Sequence, residues 1–116
     1  MTDPAPAAPR TREELDALVD ALDGLVVLFT EDFCQVAEAV EPKLAALLAE
    51  QFPALRMVVV SRNDAPELLA QLGVLSFPTV VLYFGGRETQ RFVRTFAIDA
   101  VGAAIDRPYE ILFGAS

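Results

Sequence analysis

The chain has 116 residues, 53% of them hydrophobic and 22% charged, which suits one folded domain around a single core and not an unfolded chain. A net charge of −8 argues against nucleic acid, since nothing would neutralise the phosphates, and suits a basic partner. Without histidine and with one cysteine, the sequence supports no metal site, no cofactor and no internal disulfide, and no apolar run is long enough to span a membrane.

Residues 1–10, MTDPAPAAPR, carry three prolines and one arginine and lack the apolar centre of a signal peptide. They read as a disordered tail ahead of a domain covering 11–116, and the lone thiol is consistent with a cytoplasmic protein. Thr11-Arg12-Glu13-Glu14 fits a capping box, with Glu14 reaching back over the helix start. Leu15, Leu18, Val19 and Leu22 then recur at helical spacing, and Gly24 is the expected terminator. Residues 25–29, LVVLF, have the continuous apolar pattern of a strand buried on both faces.

From Phe33 to about Gln51, the positions Val36, Val40, Leu44, Leu47 and Leu48 mark a second helix, which Pro42 should kink. Residues 55–60, LRMVVV, read as another buried strand. Asp64 is the expected N-cap of a short helix bearing Leu68, Leu69 and Leu72 and ending at Gly73. TVVLYF, 79–84, makes a third strand, and Gly85-Gly86 allow the positive φ angles of a tight hairpin into a fourth, roughly 88–96. Ile98, Val101 and Ile105 predict a final helix that Pro108 should stop. The remainder, YEILFGAS, is apolar enough to dock, at a place the sequence does not name. Helical crossovers imply parallel pairing and the tight turn antiparallel pairing, so the expected fold is α/β. Its centre is a mixed four-stranded sheet with helices on both faces.

The stretch EDFCQVAEAVEP, 31–42, sits where the first strand passes into a helix and holds the single cysteine, Cys34. Together with Pro42, eight residues after Cys34, and Ser76-Phe77-Pro78-Thr79, whose proline follows Cys34 by 44 residues, it resembles the thioredoxin family from about residue 11 to 106. The resemblance implies the three-layer thioredoxin-like fold. It also implies a cis peptide bond at Pro78 and a site formed by Cys34 with Phe33, Phe77, Pro78 and Thr79. The departures are chemical. Where the family has Cys-x-x-Cys this chain reads Cys-Gln-Val-Ala, with Ala37 in the second cysteine's place. The family's buried acid, six residues before the cysteine, is Leu28, and the glycine that usually precedes the last helix is absent around Arg94-Thr95-Phe96.

A dithiol catalyst needs a second thiol to release the mixed disulfide, so this chain is not a dithiol thioredoxin. A helix N-terminus favours the Cys34 thiolate, while Glu31, Asp32 and Glu38 oppose it. Cys34 therefore reads either as a small hydrophobe or as a monothiol nucleophile. Two functions lead, ahead of a subunit that serves only to dimerise. One is a degenerate thioredoxin-like module that binds a protein or peptide, chaperone-like in the manner of hydrogenase-maturation proteins thought to hold basic signal peptides. The other is a monothiol redox protein that forms mixed disulfides through Cys34 in thiol-disulfide exchange. Whether the chain is an enzyme stays open between them.

Overall fold

The computed structural model describes residues 7–32 and 35–114. Its elements are α1 (Arg12–Ala21), β1 (Gly24–Thr30), α2 (Gln35–Gln51), β2 (Arg56–Ser61), α3 (Pro66–Leu72), β3 (Thr79–Phe84), β4 (Arg87–Val93) and α4 (Ile98–Phe113). The sheet order is β2-β1-β3-β4. β1 and β2, joined by α2, are parallel, whereas β3 is antiparallel to both β1 and β4.

Alternation along the strands divides the core in two. Leu25, Val27 and Phe29 of β1, with Val58, Val60, Val81 and Tyr83, pack under Leu15 and Val19 of α1 and Leu68 and Leu69 of α3. Val26 and Leu28, with Val80, Leu82 and Phe84, pack on the other face against Leu44 and Leu48 of α2 and Val101 and Ile105 of α4. The result is a three-layer α/β fold. All of β1 from Gly24 to Phe29 and all of β3 are buried, as predominantly apolar runs allow when helices cover both faces.

The N-terminus of α1 carries the expected cap with one shift. The Glu14 amide donates to Thr11 Oγ1 at 3.1 Å, but the Glu14 carboxylate reaches one residue further back and accepts from the Arg10 amide at 2.9 Å. Pro9, just before it, is buried.

Four sequence expectations need correction. Gly24 does not end α1: Leu22, in extended conformation, is the cap, and Gly24 is the first residue of β1. Glycine is required there by packing, since a Cβ would fall 2.4 Å from Leu55 Cδ2, 3.0 Å from Phe84 Cε1 and 3.2 Å from Phe113 Cε2. Asp64 is not the cap of α3; Ala65 is, with Pro66 in the first turn, where its fixed φ and missing N–H cost nothing.

The fourth strand closes at Val93, and a bulge opposite Leu82 and Tyr83 makes Thr89 the extra residue. The bulge has a consequence for side chains. Glu88 pairs with Tyr83 and Arg91 with Val81, so both project to the α1/α3 face despite an odd separation in sequence. There Arg91 Nε and Nη2 each donate to the Glu88 carboxylate at 2.8 Å, and Nη1 donates to the Leu72 carbonyl at 3.0 Å, tying β4 to the end of α3.

Nor does Pro108 stop α4, which continues to Phe113. An internal proline costs about 3 kcal/mol, and tertiary contacts beyond it offset that cost. The Tyr109 ring meets Phe52 edge-on at 5.1 Å and Phe113 at 4.9 Å, while its hydroxyl accepts from the Ala54 amide at 3.1 Å. Of the segment with no assigned place, Tyr109–Phe113 is therefore the end of a helix docked against the connection between α2 and β2, and Gly114 is its cap.

Candidate functional site

The strand directions gather one end of the sheet into a cluster of loops. Phe29, near the end of β1, pairs with Thr79, the first residue of β3, and Thr79 pairs in turn with Val93, the last of β4. Thr30 and Ser61 end β1 and β2 side by side. The β1–α2 connection, the β2–α3 turn, the loop before β3 and the loop after β4 therefore share this edge.

The loop before β3 is fixed from within. The Phe77–Pro78 peptide bond is cis. Thr79 is 1% exposed and its hydroxyl donates to the Ser76 carbonyl at 2.7 Å. Pro78 is buried, and its carbonyl accepts from the Arg94 amide at 2.8 Å. Arg94 makes that bond with a φ of 64°, the left-handed region that favours glycine. Arginine thus stands in a glycine-type conformation beside the proline. No backbone hydrogen bond within the described residues takes up the amide or carbonyl of Phe77.

Phe77 is half-buried against the α1/α3 core and lines a groove of about 260 Å³ with Arg62, Pro66, Leu69, Ala70, Val74 and Leu75. Leu75 is 84% exposed, a large apolar side chain at the mouth of this groove. Its polar margin comes from the β2–α3 turn. Arg62 Nη1 lies 3.5 Å from Glu31 Oε2, with both side chains exposed, a pair worth about 0–1 kcal/mol. The Asn63 side-chain amide donates to the Asp32 carboxylate. These two contacts hold the start of the β1–α2 connection against the turn that follows β2.

Of the residues singled out from the sequence, Phe77, Pro78 and Thr79 fall together in this loop. Phe33 and Cys34 lie outside the described residues. Leu28 is 0% exposed among the apolar side chains that α2 and α4 cover, so no carboxylate stands at that position. Arg62 as a groove residue escapes sequence reasoning. The only available signal is its place just after a buried strand. Among the described residues no group of acids, cysteines or histidines could hold a metal ion, and no helix is long and apolar enough to cross a membrane.

A four-stranded mixed sheet between two helix pairs, entered through a cis-proline loop beside the β1–α2 connection, defines a thioredoxin-type protein. The comparisons agree: the sequence model described as Thioredoxin matches residues 7–107, and the chain belongs to the thioredoxin family. A thioredoxin of Chlamydia muridarum is 32% identical over 80 residues, covering 67% of this chain and 78% of the relative. Thioredoxin-like protein YdfQ of Bacillus subtilis is 27% identical over 81 residues, 70% of this chain and 71% of that one. Among solved structures, a mutant thioredoxin of Halobacterium salinarum superposes with a TM-score of 0.76 at 25% identity, covering 91% of this chain and 97% of that one.

Proposed function

We propose that this thioredoxin-family chain is a binding module that holds a protein or peptide segment at the Phe77–Pro78 loop without dithiol turnover. One observation carries the reading: the chain has a single cysteine, and a mixed disulfide at Cys34 has no second thiol within the molecule to release it. The loop offers what non-covalent capture needs. The amide and carbonyl of Phe77, which no backbone hydrogen bond among the described residues takes up, can pair with an extended segment, and the groove beside it accepts an apolar side chain. In this reading Phe77, Leu75 and Phe33 touch the partner, while Pro78 and Thr79 hold the loop in shape. The net charge of −8 favours a basic partner, chaperone-like in character and located in the cytoplasm.

Monothiol exchange at Cys34 is the second reading, favoured by the place of the cysteine between β1 and α2. There the Cys34 thiolate would attack a partner disulfide, forming one S–S bond while the departing sulfur leaves as thiolate. An external thiol would then release the partner.

The two readings separate on the sulfur. A partner recovered from extract is titrated against wild type, Cys34→Ser and Phe77→Ala. The module predicts that Cys34→Ser keeps binding within about threefold, whereas Phe77→Ala weakens it about tenfold or more, as loss of a buried aromatic anchor does. Complete loss in Cys34→Ser with Phe77→Ala unaffected would overturn the module.

A further inference from the structure

A second surface lies at the other end of the sheet. β3 runs from Thr79 to Phe84, so at about 3.3 Å per residue its ends are roughly 16 Å apart. At the Phe84 end, the β3–β4 turn and the last turns of α4 leave between them an open groove of about 400 Å³. Phe84, Pro108, Ile111 and Leu112 give it apolar walls, and Arg87 and Arg107 flank them. Ile111 is 69% exposed and Leu112 39%, two of the four exposed large hydrophobic side chains among the described residues.

Sequence and helix geometry explain why this flank is bare. Tyr109 and Phe113 occupy the inner flank of α4 against Phe52. At about 100° per residue, Asp106 falls on that same flank and Pro108 and Ile111 on the opposite one, while Glu110 lies midway between Phe113 and Arg107. No carboxylate lines the groove. In a chain with 17 acidic and 9 basic residues, a groove lined by two arginines and no acid carries the minority charge, although Asp20 stands by the turn, its Oδ1 4.0 Å from where a Cβ on Gly86 would lie. Neither guanidinium enters an ion pair or hydrogen bond among the described residues.

We propose that this groove docks an acidic amphipathic segment of a partner protein. Its apolar side chains would cover Pro108, Ile111 and Leu112 while its carboxylates meet Arg87 and Arg107. The charge decides the occupant. A basic segment would bring like charges onto both arginines, and a second copy joined through the same groove would face arginine with arginine, with no acid in the groove to receive either. Arginine suits the role because its planar fork binds carboxylates bidentately. The site is separate from the Phe77–Pro78 loop and does not depend on how that loop is used.

The test uses the full chain and two labelled amphipathic peptides with identical apolar residues, one with glutamate and one with lysine at the polar positions. Fluorescence anisotropy gives affinity and amide resonance shifts give location. Because the overall charge repels the acidic probe while the groove attracts it, and salt screens both, charge reversal is a better readout than salt dependence. The expected result is binding of the glutamate peptide with shifts at 84–87 and 107–112. It should weaken at least about tenfold in Arg87→Glu/Arg107→Glu and in Ile111→Asp. If the charge reversals unfold the chain, Arg87→Gln/Arg107→Gln must show the same ordering. Equal or tighter binding of the lysine peptide would overturn the proposal. So would shifts confined to the Phe77–Pro78 groove, no binding up to about 1 mM, or a dimer that Ile111→Asp dissociates.

Discussion

Replacing Tyr83 by phenylalanine should stabilise the protein. The ring is 7% exposed on β3 in the α1/α3 core, and its hydroxyl has no hydrogen-bond partner. A buried polar group left without a partner costs about 1–3 kcal/mol, and phenylalanine keeps the ring while removing the group. Loss of the oxygen's dispersion contacts offsets part of the gain, leaving about 1 kcal/mol and, for a domain of this size, a rise of about 4 °C in Tm. The same hydroxyl has a signature in alkali. Burial first, and the Glu88 carboxylate second, push its pKa from 10.0 up to about 12. A raised pKa means the neutral form is favoured in the fold. That stability is fully present below the unfolded value near 10 and lost as pH rises through about 12. The loss amounts to at most about 2 kcal/mol after allowance for solvent screening. The advantage of Tyr83→Phe should therefore widen between pH 10 and 12. Guanidinium unfolding at pH 7, repeated across the alkaline range, measures both effects. A variant less stable by about 1 kcal/mol or more at pH 7 would refute the reasoning, because the hydroxyl would then be contributing a bond.

Gly24→Ala should cost about 1–3 kcal/mol in the same assay, since its Cβ meets Leu55, Phe84 and Phe113 at once. Arg94→Gly should gain about 0.5–1 kcal/mol by relieving the left-handed conformation, with the amide bond to Pro78 retained; a loss of stability would mean the arginine side chain holds the loop. Hydrogen bonds from Arg91 hold the Glu88 carboxyl below the ordinary value of 4.5. The pair's stability is thus present above that value and lost as pH falls. Glu88→Gln should cost about 0.5–1 kcal/mol at pH 7, with the difference from wild type shrinking in unfolding curves as the pH falls into the acid range.

The sequence marks an element best where its punctuation is local. β3 lies between a proline and two glycines, so both of its ends are readable, and the glycines do take φ values of 63° and 86°. Where distant residues decide, the pattern misleads. Pro108 has the local signature of a stop, and only Phe52 and Ala54, half a chain away, explain why α4 passes through it. Gly24 resembles a helix terminator because nothing nearby in sequence reveals the three side chains that crowd it. The bulge at Thr89, which aligns Glu88 with Arg91, has no local signal either. The candidate site divides in the same way. Phe77, Pro78 and Thr79 are contiguous and are legible together. Arg62 and Arg94 reach the same edge only through the order β2-β1-β3-β4, which residue spacing does not encode.

The most direct test of capture without turnover is the nature of the bond in a partner complex isolated from extract with the wild-type chain. The intact mass of that complex under denaturing, non-reducing conditions reads the bond itself. The account predicts the free chain alone, with no adduct on Cys34, and dissociation of the native complex as salt rises to about 0.5 M, where charges are screened within a few ångströms. A chain carrying the partner's mass through a reductant-sensitive bond, in a complex that salt does not dissociate, would contradict it and assign the site to monothiol exchange.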